Sequence, residues 1–168
     1  MRILGIDPGY ALVGIGAIEY TGNKYSVIKY GKIETFSSMR MNERLHTIFE
    51  EMKYWINETK PDVVAIEQLF FNTNTKTAIG VAQARGVILL ACEIMHIKVY
   101  EYTPLQVKQA VVGYGKAEKL QVQKMTKTLL NLKEIPKPDD TADALAVAIC
   151  HTNNAGYNSI MDQLGKNL

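Results

Sequence analysis

The stretch Ile3-Leu4-Gly5-Ile6-Asp7-Pro8-Gly9 decides the fold. A short apolar run that ends at an acid, a proline and a glycine is typical of a buried central strand followed by a turn. A carboxylate at the edge of such a run costs several kcal/mol unless another group pairs with it. Asp7 therefore marks the predicted end of a strand and is a candidate site residue.

Three further acids occupy comparable positions. Glu67 directly follows the apolar run Val63-Val64-Ala65-Ile66, whereas Asp140 and Asp143 are three residues apart and so share one face of a predicted helix. The local sequence offers these acids no obvious basic partners. Four such carboxylates suggest a divalent-metal site, and carboxylates favour hard cations such as Mg²⁺ or Mn²⁺.

The rest of the chain alternates between strand and helix patterns. Strands are predicted over residues 2–6, 13–19, 25–36, 63–66 and 98–102, and helices over 41–60, 75–96, 104–112, 116–130 and 140–151. This order predicts an α/β fold with a mixed five-stranded sheet and helices on both faces. If the first and fourth strands are parallel neighbours, Asp7 and Glu67 emerge at one edge, where ligand sites form.

The four acids also have ordinary structural explanations. A single acid at a strand end is more often a turn or cap residue. Asp140 could cap the last helix, a role for which Asp139 competes, and Asp143 would lie in a first turn that favours an acid. Glu67 is the hardest to explain in this way. Together the four favour a site in which two cations, about 3.5–4 Å apart, hold the attacking and leaving oxygens of a phosphodiester displacement.

Composition sets the remaining limits. The chain has 168 residues, of which 47% are hydrophobic and 21% charged, which predicts one globular domain over residues 1–168 with a loosely ordered tail from about 153. A net charge of +2 does not by itself indicate nucleic-acid binding. Cys92 and Cys150 are expected to be buried free thiols. With no signal peptide and no apolar run of roughly 18 residues, we expect a cytoplasmic protein without a membrane span.

The helix over residues 75–96 is apolar on nearly every side. A helix of this kind must be covered all round. One side would meet the sheet, and either the core of the same chain or a partner subunit could cover the other.

Several blocks, taken in order and with their spacing, are distinctive. They cover residues 5–9, 65–68, 83–86, 107–109, 111–113, 117–119 and 140–146. Together these blocks resemble the RuvC family of bacterial Holliday junction resolvases, also called crossover junction endodeoxyribonucleases. The resemblance extends over about residues 2–151.

This resemblance implies an RNase H-like fold and a homodimer with two active sites. Each site would cut one of two opposed strands of four-way junction DNA during recombination and repair, and leave ends that a ligase can seal. Asp7, Glu67, Asp140 and Asp143 would be the catalytic ligands of Mg²⁺, with two ions per site and Mn²⁺ able to substitute. A branch-migration motor complex is the further partner that the resemblance implies.

Basic residues near the end of the chain suggest contacts to DNA phosphates. Lys119, Gln123 and Lys127 recur every four residues, Lys116 lies one turn earlier, and Lys108 is on the preceding predicted helix. Such concentrated charge is typical of phosphate binding, although a solvated helix face would look the same. The opposite face is predicted to pack on the core through Val122, Met125, Leu129 and Leu132.

The resemblance favours Lys108 and Lys119 as contacts near the scissile phosphate. Of the two aromatic residues that follow Glu67, it favours Phe70 over Phe71 for stacking on an unpaired base at the junction centre. Gly113 and Gly115 would let the intervening loop close over DNA.

Two other classes of protein compete with a nuclease. A sugar-kinase or actin-like ATPase, which shares the RNase H-like fold, opens with a similar glycine-rich turn. It needs a second, similar domain to enclose ATP, and 168 residues leave little room for one. A non-catalytic junction-binding module would not need four converging acids, which repel phosphates unless a metal neutralises them.

Overall fold

The sheet of this protein has the predicted mixed topology. In the computed structural model, which describes residues 1–69 and 75–163, the strands are β1 (Arg2–Asp7), β2 (Leu12–Thr21), β3 (Lys24–Glu34), β4 (Val63–Glu67) and β5 (Lys98–Tyr102). They form one five-stranded sheet in the order β3-β2-β1-β4-β5. β1 and β3 are antiparallel to β2, whereas β4 is parallel to both β1 and β5. The first and fourth strands are thus parallel neighbours, which is the condition for Asp7 and Glu67 to share one edge.

Helices cover both faces of the sheet, as predicted. They are α1 (Met41–Thr59), α2 (Thr75–Ile94), α3 (Pro104–Val112), α4 (Lys119–Leu129) and α5 (Asp139–Gln163). One core lies beneath α1 and α2 and includes the buried side chains of Ile48, Met52 and Ile88. The other lies beneath α3, α4 and α5 and includes Leu145 and Ile149. Cys92 and Cys150 are buried free thiols, as expected.

Helix α5 lies directly on the backbone of the central strands. A Cβ atom added to Gly5 of β1 would be 2.0 Å from the carbonyl oxygen of Ala144, and one added to Gly14 of β2 would be 2.0 Å from that of Asp140. Only glycine permits this approach, because any side chain would collide with helix backbone. The contact fixes the start of α5 beside the end of β1.

The predicted start of α3 is confirmed in detail. Thr103 is the N-cap, and Pro104 is the first helical residue. The Thr103 hydroxyl accepts a hydrogen bond from the Gln106 backbone N–H at 3.2 Å, while the Gln106 side chain accepts one from the Thr103 N–H at 2.8 Å. This reciprocal capping fixes the chain direction where β5 ends. At the other end, Gly113 has a φ of 92° and its N–H donates to the carbonyl oxygen of Gln109.

The predicted core face of α4 is confirmed at Val122 and wrong at Met125 and Leu129. The buried residues of this helix are Val122, Gln123 and Thr126, whereas Met125 and Leu129 are each 37% exposed. Hydropathy periodicity assigns polar residues to the outside. Here two polar side chains lie on the inner face, so the pattern misplaced that face. Gln123 therefore does not lie on an exposed basic face with the lysines.

The starts of α4 and α5 also differ from the prediction. α4 begins at Lys119 rather than at residue 116, and Glu118 is its N-cap, with its N–H donating to the Gln121 side chain at 2.8 Å. α5 begins at Asp139, so Asp140 lies within the first turn and is not the cap.

Helix α5 continues to Gln163, well beyond the predicted end near residue 151. The side-chain amide of Asn153 donates to the carbonyl oxygen of Ala110, and that of Asn154 donates to the carbonyl oxygen of Cys150, each at 2.8 Å. These bonds hold the first part of the extension against α3 and against its own preceding turn. The backbone of residues 153–163, predicted as part of a loosely ordered tail, is helical.

Helix α2 has one buried face and one exposed apolar face. Ala84, Ile88 and Ala91 are completely buried, whereas Ile79 is 71% exposed and Leu90 54%. Contrary to our expectation, the window Thr77–Ile94 is long enough and, with a mean hydropathy of 1.5, apolar enough to cross a membrane by length and composition. The buried inner face is what a core helix of a folded domain shows, so this match is weak evidence for a span.

Candidate active site

The four acids come from three elements that meet at one edge of the sheet. Asp7 ends β1 and Glu67 ends β4, and the parallel register that pairs Ile6 with Ile66 brings both ends to the same edge. The close packing of α5 on β1 and β2 adds the first turns of that helix, which carry Asp140 and Asp143. The structure therefore brings together the four acids that the sequence singles out.

The charges of these acids act on one another. The pKa of the Asp7 carboxyl is raised well above its usual value by burial, and further by the negative charges of Glu67, Asp143 and Asp140. Burial, followed by the charge of Asp143, raises the pKa of Glu67 to about 7. Burial also raises the pKa of Asp143. The site therefore concentrates more negative charge than it neutralises.

Lys119 is the nearest positive charge to this cluster. Its ammonium group lies 2.9 Å from Oδ2 of Asp143 and 3.8 Å from Oδ2 of Asp139. It lowers the pKa of Asp143 through a hydrogen bond and through its charge, which offsets part of the effect of burial. One lysine cannot balance four carboxylates, so the cluster still favours an additional cation.

The chemistry of this donor set fits a divalent cation, but the side-chain positions are more open than a bound metal would require. Within residues 1–69 and 75–163, no three His, Cys, Asp or Glu side chains are grouped closely enough to hold a metal ion. Four carboxylates are hard oxygen donors of the type that Mg²⁺ prefers. For all four to ligate, the side chains would have to turn toward one another and Lys119 would have to leave Asp143.

An open cleft of about 260 Å³ lies beside the acids. Its lining residues are Glu67, Pro104, Val107, Lys108, Lys119, Val122, Asp143 and Ala146. Lys108 is near enough to Glu67 for its positive charge to lower the pKa of that carboxyl. The cleft thus combines two acids, two lysines and an apolar wall. Such a cleft can receive a phosphate and the sugar attached to it.

The predicted DNA contacts do not all reach this cleft. Lys108 and Lys119 line it, as expected of residues near a scissile phosphate. Lys116 is exposed between α3 and α4, and Lys127 lies in the last turn of α4, and neither is among the lining residues. Phe70 lies outside the residues that the structure describes, as does Phe71.

The ion pairs of Asp139 with Lys119 and Lys137 were not predicted from the sequence. Asp139 was expected only to compete for the helix cap, whereas its carboxylate lies 3.8 Å from the ammonium groups of both Lys119 and Lys137. Its position next to Asp140 was the available signal. The apolar wall of the cleft gave no comparable signal, because Pro104, Val107 and Val122 match ordinary core patterns.

Comparisons with known proteins agree on one family. The family model described as "Crossover junction endodeoxyribonuclease RuvC" matches residues 3–151. A protein of that name from Alkaliphilus metalliredigens is 59% identical over 160 residues, which cover 95% of this chain and 98% of the relative. Another from Halothermothrix orenii is 61% identical over 158 residues, which cover 94% and 96% of the two chains.

A solved structure extends the comparison to three dimensions. It is described as "T. thermophilus RuvC in complex with Holliday junction substrate" and superimposes with a TM-score of 0.89 at 34% sequence identity. The match covers 95% of this chain and 97% of that one.

Proposed function

The chain belongs to the RuvC family of crossover junction endodeoxyribonucleases, and we propose that it is a structure-selective DNA endonuclease that resolves four-way junctions in recombination and repair. The observation that carries this proposal is the convergence of four acids at one sheet edge, beside a cleft lined by Lys108 and Lys119. Acids without nearby lysines would repel a phosphate. Lysines without acids would bind DNA but would offer no means of cutting it.

Asp7, Glu67, Asp140 and Asp143 are proposed to hold Mg²⁺, with two ions per site and Mn²⁺ able to substitute. Bound cations of this kind activate water and stabilise the oxygen that leaves during phosphodiester hydrolysis. The raised pKa values of Asp7, Glu67 and Asp143 support this assignment, because a cation relieves the repulsion that causes part of each shift.

The lysines are proposed to orient and neutralise the DNA backbone. Lys119 pairs with Asp143 in the protein alone, and in the complex it would exchange that partner for a phosphate near the cut. Lys108, which also lines the cleft, would contact the same region of the strand. Lys116 and Lys127 would contact phosphates farther along the DNA, and Phe70 would stack on an unpaired base at the junction centre.

The exposed apolar face of α2 supports a homodimer. Ile79, Leu90 and Ile94 are between 50% and 71% exposed on a helix whose other face is in the core. Gly86 lies on the same exposed face, and a Cβ atom there would meet nothing within 4 Å. Two copies packed through this face would bury the apolar stripe, since small residues let helices approach closely. The resulting pair of active sites would make two cuts in opposed strands.

We also propose a domain organisation, a compartment and a partner complex for this enzyme. Residues 1–168 would act as one nuclease domain. The protein would act in the cytoplasm and cooperate there with a branch-migration motor complex.

Labelled DNA tests the function directly. Purified protein is incubated with a four-way junction and, separately, with a linear duplex of matched sequence, with and without Mg²⁺. We expect paired cuts in the junction only, and only with Mg²⁺. Equal cutting of both substrates, or of neither, would overturn the proposal.

A further inference from the structure

We propose that Tyr102 and His151 form a positioning pair that fixes the separation between Glu67 on β4 and Asp143 on α5. This inference rests on the proposed function, because the pair would act through the acids of that site. Neither Tyr102 nor His151 is among the residues that line the cleft. Their role would therefore be to orient the acids and not to touch the substrate.

The backbone of Tyr102 is tied to the strand that carries Glu67. Tyr102 is the last residue of β5 and lies opposite Glu67 in the parallel register. Its carbonyl oxygen accepts a hydrogen bond of 2.8 Å from the backbone N–H of Gln68, the residue that follows Glu67. A displacement of Tyr102 would therefore move the end of β4 with it.

The side chain of Tyr102 is tied to the helix that carries Asp140 and Asp143. Its hydroxyl lies 2.7 Å from Nδ1 of His151 in α5. Tyr102 is 3% exposed and His151 2%, and their rings meet edge-on with centroids 5.9 Å apart. The ring of Tyr100 also packs against the imidazole, with the two ring centroids 4.7 Å apart. The imidazole is thus fixed both by a hydrogen bond and by packing.

A buried polar bond defines one geometry more strictly than apolar packing does. If either partner is replaced, this bond is lost and a buried polar group has one partner fewer, which is unfavourable. A tyrosine and a histidine can also form this bond only within a limited range of distances and angles. The contact between β5 and α5 is therefore less able to slide than a contact between aliphatic side chains.

Helix α5 carries this constraint to the active site. His151 and Asp143 are eight residues apart in a continuous helix, a separation of about 12 Å along its axis. Cys150, the neighbour of His151, lies within electrostatic range of Glu67. Burial raises the pKa of its thiol to about 12, and the charge of Glu67 contributes to that increase. The turn that holds His151 is therefore continuous with the turns that carry Asp143 and lies near Glu67.

A second tyrosine provides a matched control. The hydroxyl of Tyr25 lies 3.0 Å from Oγ1 of Thr152, the residue after His151. Tyr25 belongs to β3, which carries none of the four acids. Both tyrosines thus bond to the same turn of α5, but only Tyr102 links that turn to an acid-bearing strand.

The experiment compares Tyr102→Phe with Tyr25→Phe in the full chain. Calorimetric titration with Mn²⁺ in the absence of DNA measures metal affinity, and junction cutting gives the Mg²⁺ concentration for half-maximal rate. We expect Tyr102→Phe to weaken metal affinity about tenfold and to raise the half-maximal Mg²⁺ concentration. Tyr25→Phe should change neither value. Unchanged affinity in Tyr102→Phe, or an equal loss in both variants, would overturn the proposal.

Variants of His151 keep the test decisive if Tyr102→Phe folds poorly. Asparagine can place a hydrogen-bonding atom near the position of Nδ1, whereas leucine cannot. His151→Asn should therefore bind Mn²⁺ more tightly than His151→Leu. Equal affinities would contradict the proposal that Tyr102 and His151 position the acids. Another outcome is that the wild-type protein binds Mn²⁺ and Tyr102→Phe binds it weakly, while neither protein cuts junctions. That result would support the positioning pair and contradict the proposed function. If the wild type binds no metal, the pair fails as well.

Discussion

Gly14 of β2 and Asp140 of α5 are so close that a Cβ atom on the glycine would lie 2.0 Å from the carbonyl oxygen of the aspartate. Gly14 is also the register partner of Asp7 on β1. The absence of a side chain at this one position therefore lets the helix-borne acids approach the strand-borne acid.

Substitution of Gly14 by alanine should disrupt both stability and cleavage. Overpacking of this kind destabilises proteins by about 1–3 kcal/mol, and here the clash is with backbone, so Gly14→Ala should reach or exceed that range. Urea denaturation measures the loss, and junction cutting should fall with it. Gly156→Ala is the control, because a Cβ atom there would meet nothing within 4 Å. Equal stability of both variants and the wild type would contradict the packing argument.

Without metal, the protein should lose stability as pH rises. Glu67 has a pKa of about 7 in the folded chain, against an ordinary value of 4.5. Below pH 4.5 the carboxyl is protonated in both states, and between these values only the unfolded state ionises readily. The free energy of unfolding should therefore decrease by about 3 kcal/mol across this window from Glu67 alone. The pKa values of Asp7 and Asp143 are also raised, so they add to the decrease.

Glu67→Gln removes one of these titrating groups and should flatten the stability profile. Lys119 and Lys108, whose charges lower the pKa of Glu67, remain in place in this variant. Added Mg²⁺ should stabilise the wild type more above pH 7 than below pH 5, because it binds ionised carboxylates. Denaturation at a series of pH values measures both effects. Identical profiles for wild type and Glu67→Gln would show that folding does not raise the pKa of this carboxyl.

Lys119→Ala should weaken junction binding and impair cutting. The lysine lies in the cleft and would contact a phosphate, so its removal should reduce the slope of log affinity against log salt by about one. Lys124→Ala provides the control, since Lys124 is exposed on the same helix and is not among the residues that line the cleft. Binding assays over a range of salt concentrations measure the slope. A Lys119→Ala variant with unchanged affinity, slope and cutting would exclude the phosphate contact.

Leu90→Glu should convert a dimer into monomers. Leu90 is 54% exposed on the apolar face of α2, where a charge would be buried between two copies. Phe36, which is 61% exposed elsewhere, serves as the control through Phe36→Glu. Sedimentation velocity should show a dimer for the wild type and the control, and a monomer for Leu90→Glu. A dimer of Leu90→Glu would place the interface on another face.

Local sequence patterns predicted the site because its acids lie at the ends of strands or in the first turns of a helix. The apolar run before Asp7 and the matching run before Glu67 identified two strands, whereas their parallel pairing was seen only in the structure. The caps of α3 were equally predictable, since Thr103 and Pro104 act on the residues next to them. These features depend on neighbours in the chain and are therefore visible in the sequence.

Features that depend on distant contacts were not visible. Hydropathy could not show that Gln123 and Thr126 are buried, because the pattern assigns polar residues to solvent. The extension of α5 depends on bonds such as that from Asn153 to Ala110, which joins residues 43 positions apart. The direction of Lys119 toward Asp143 likewise depends on how α4 packs on α5.

The most direct test of the account is junction cutting by Asp7→Asn. Asparagine has nearly the same shape as aspartate but lacks its charge, so the fold should be retained while the proposed metal site loses a ligand. With Mg²⁺ present, we predict that this variant binds a four-way junction as tightly as the wild type and does not cut it. Cutting at the wild-type rate would contradict the assignment of Asp7 and, with it, the proposed metal centre.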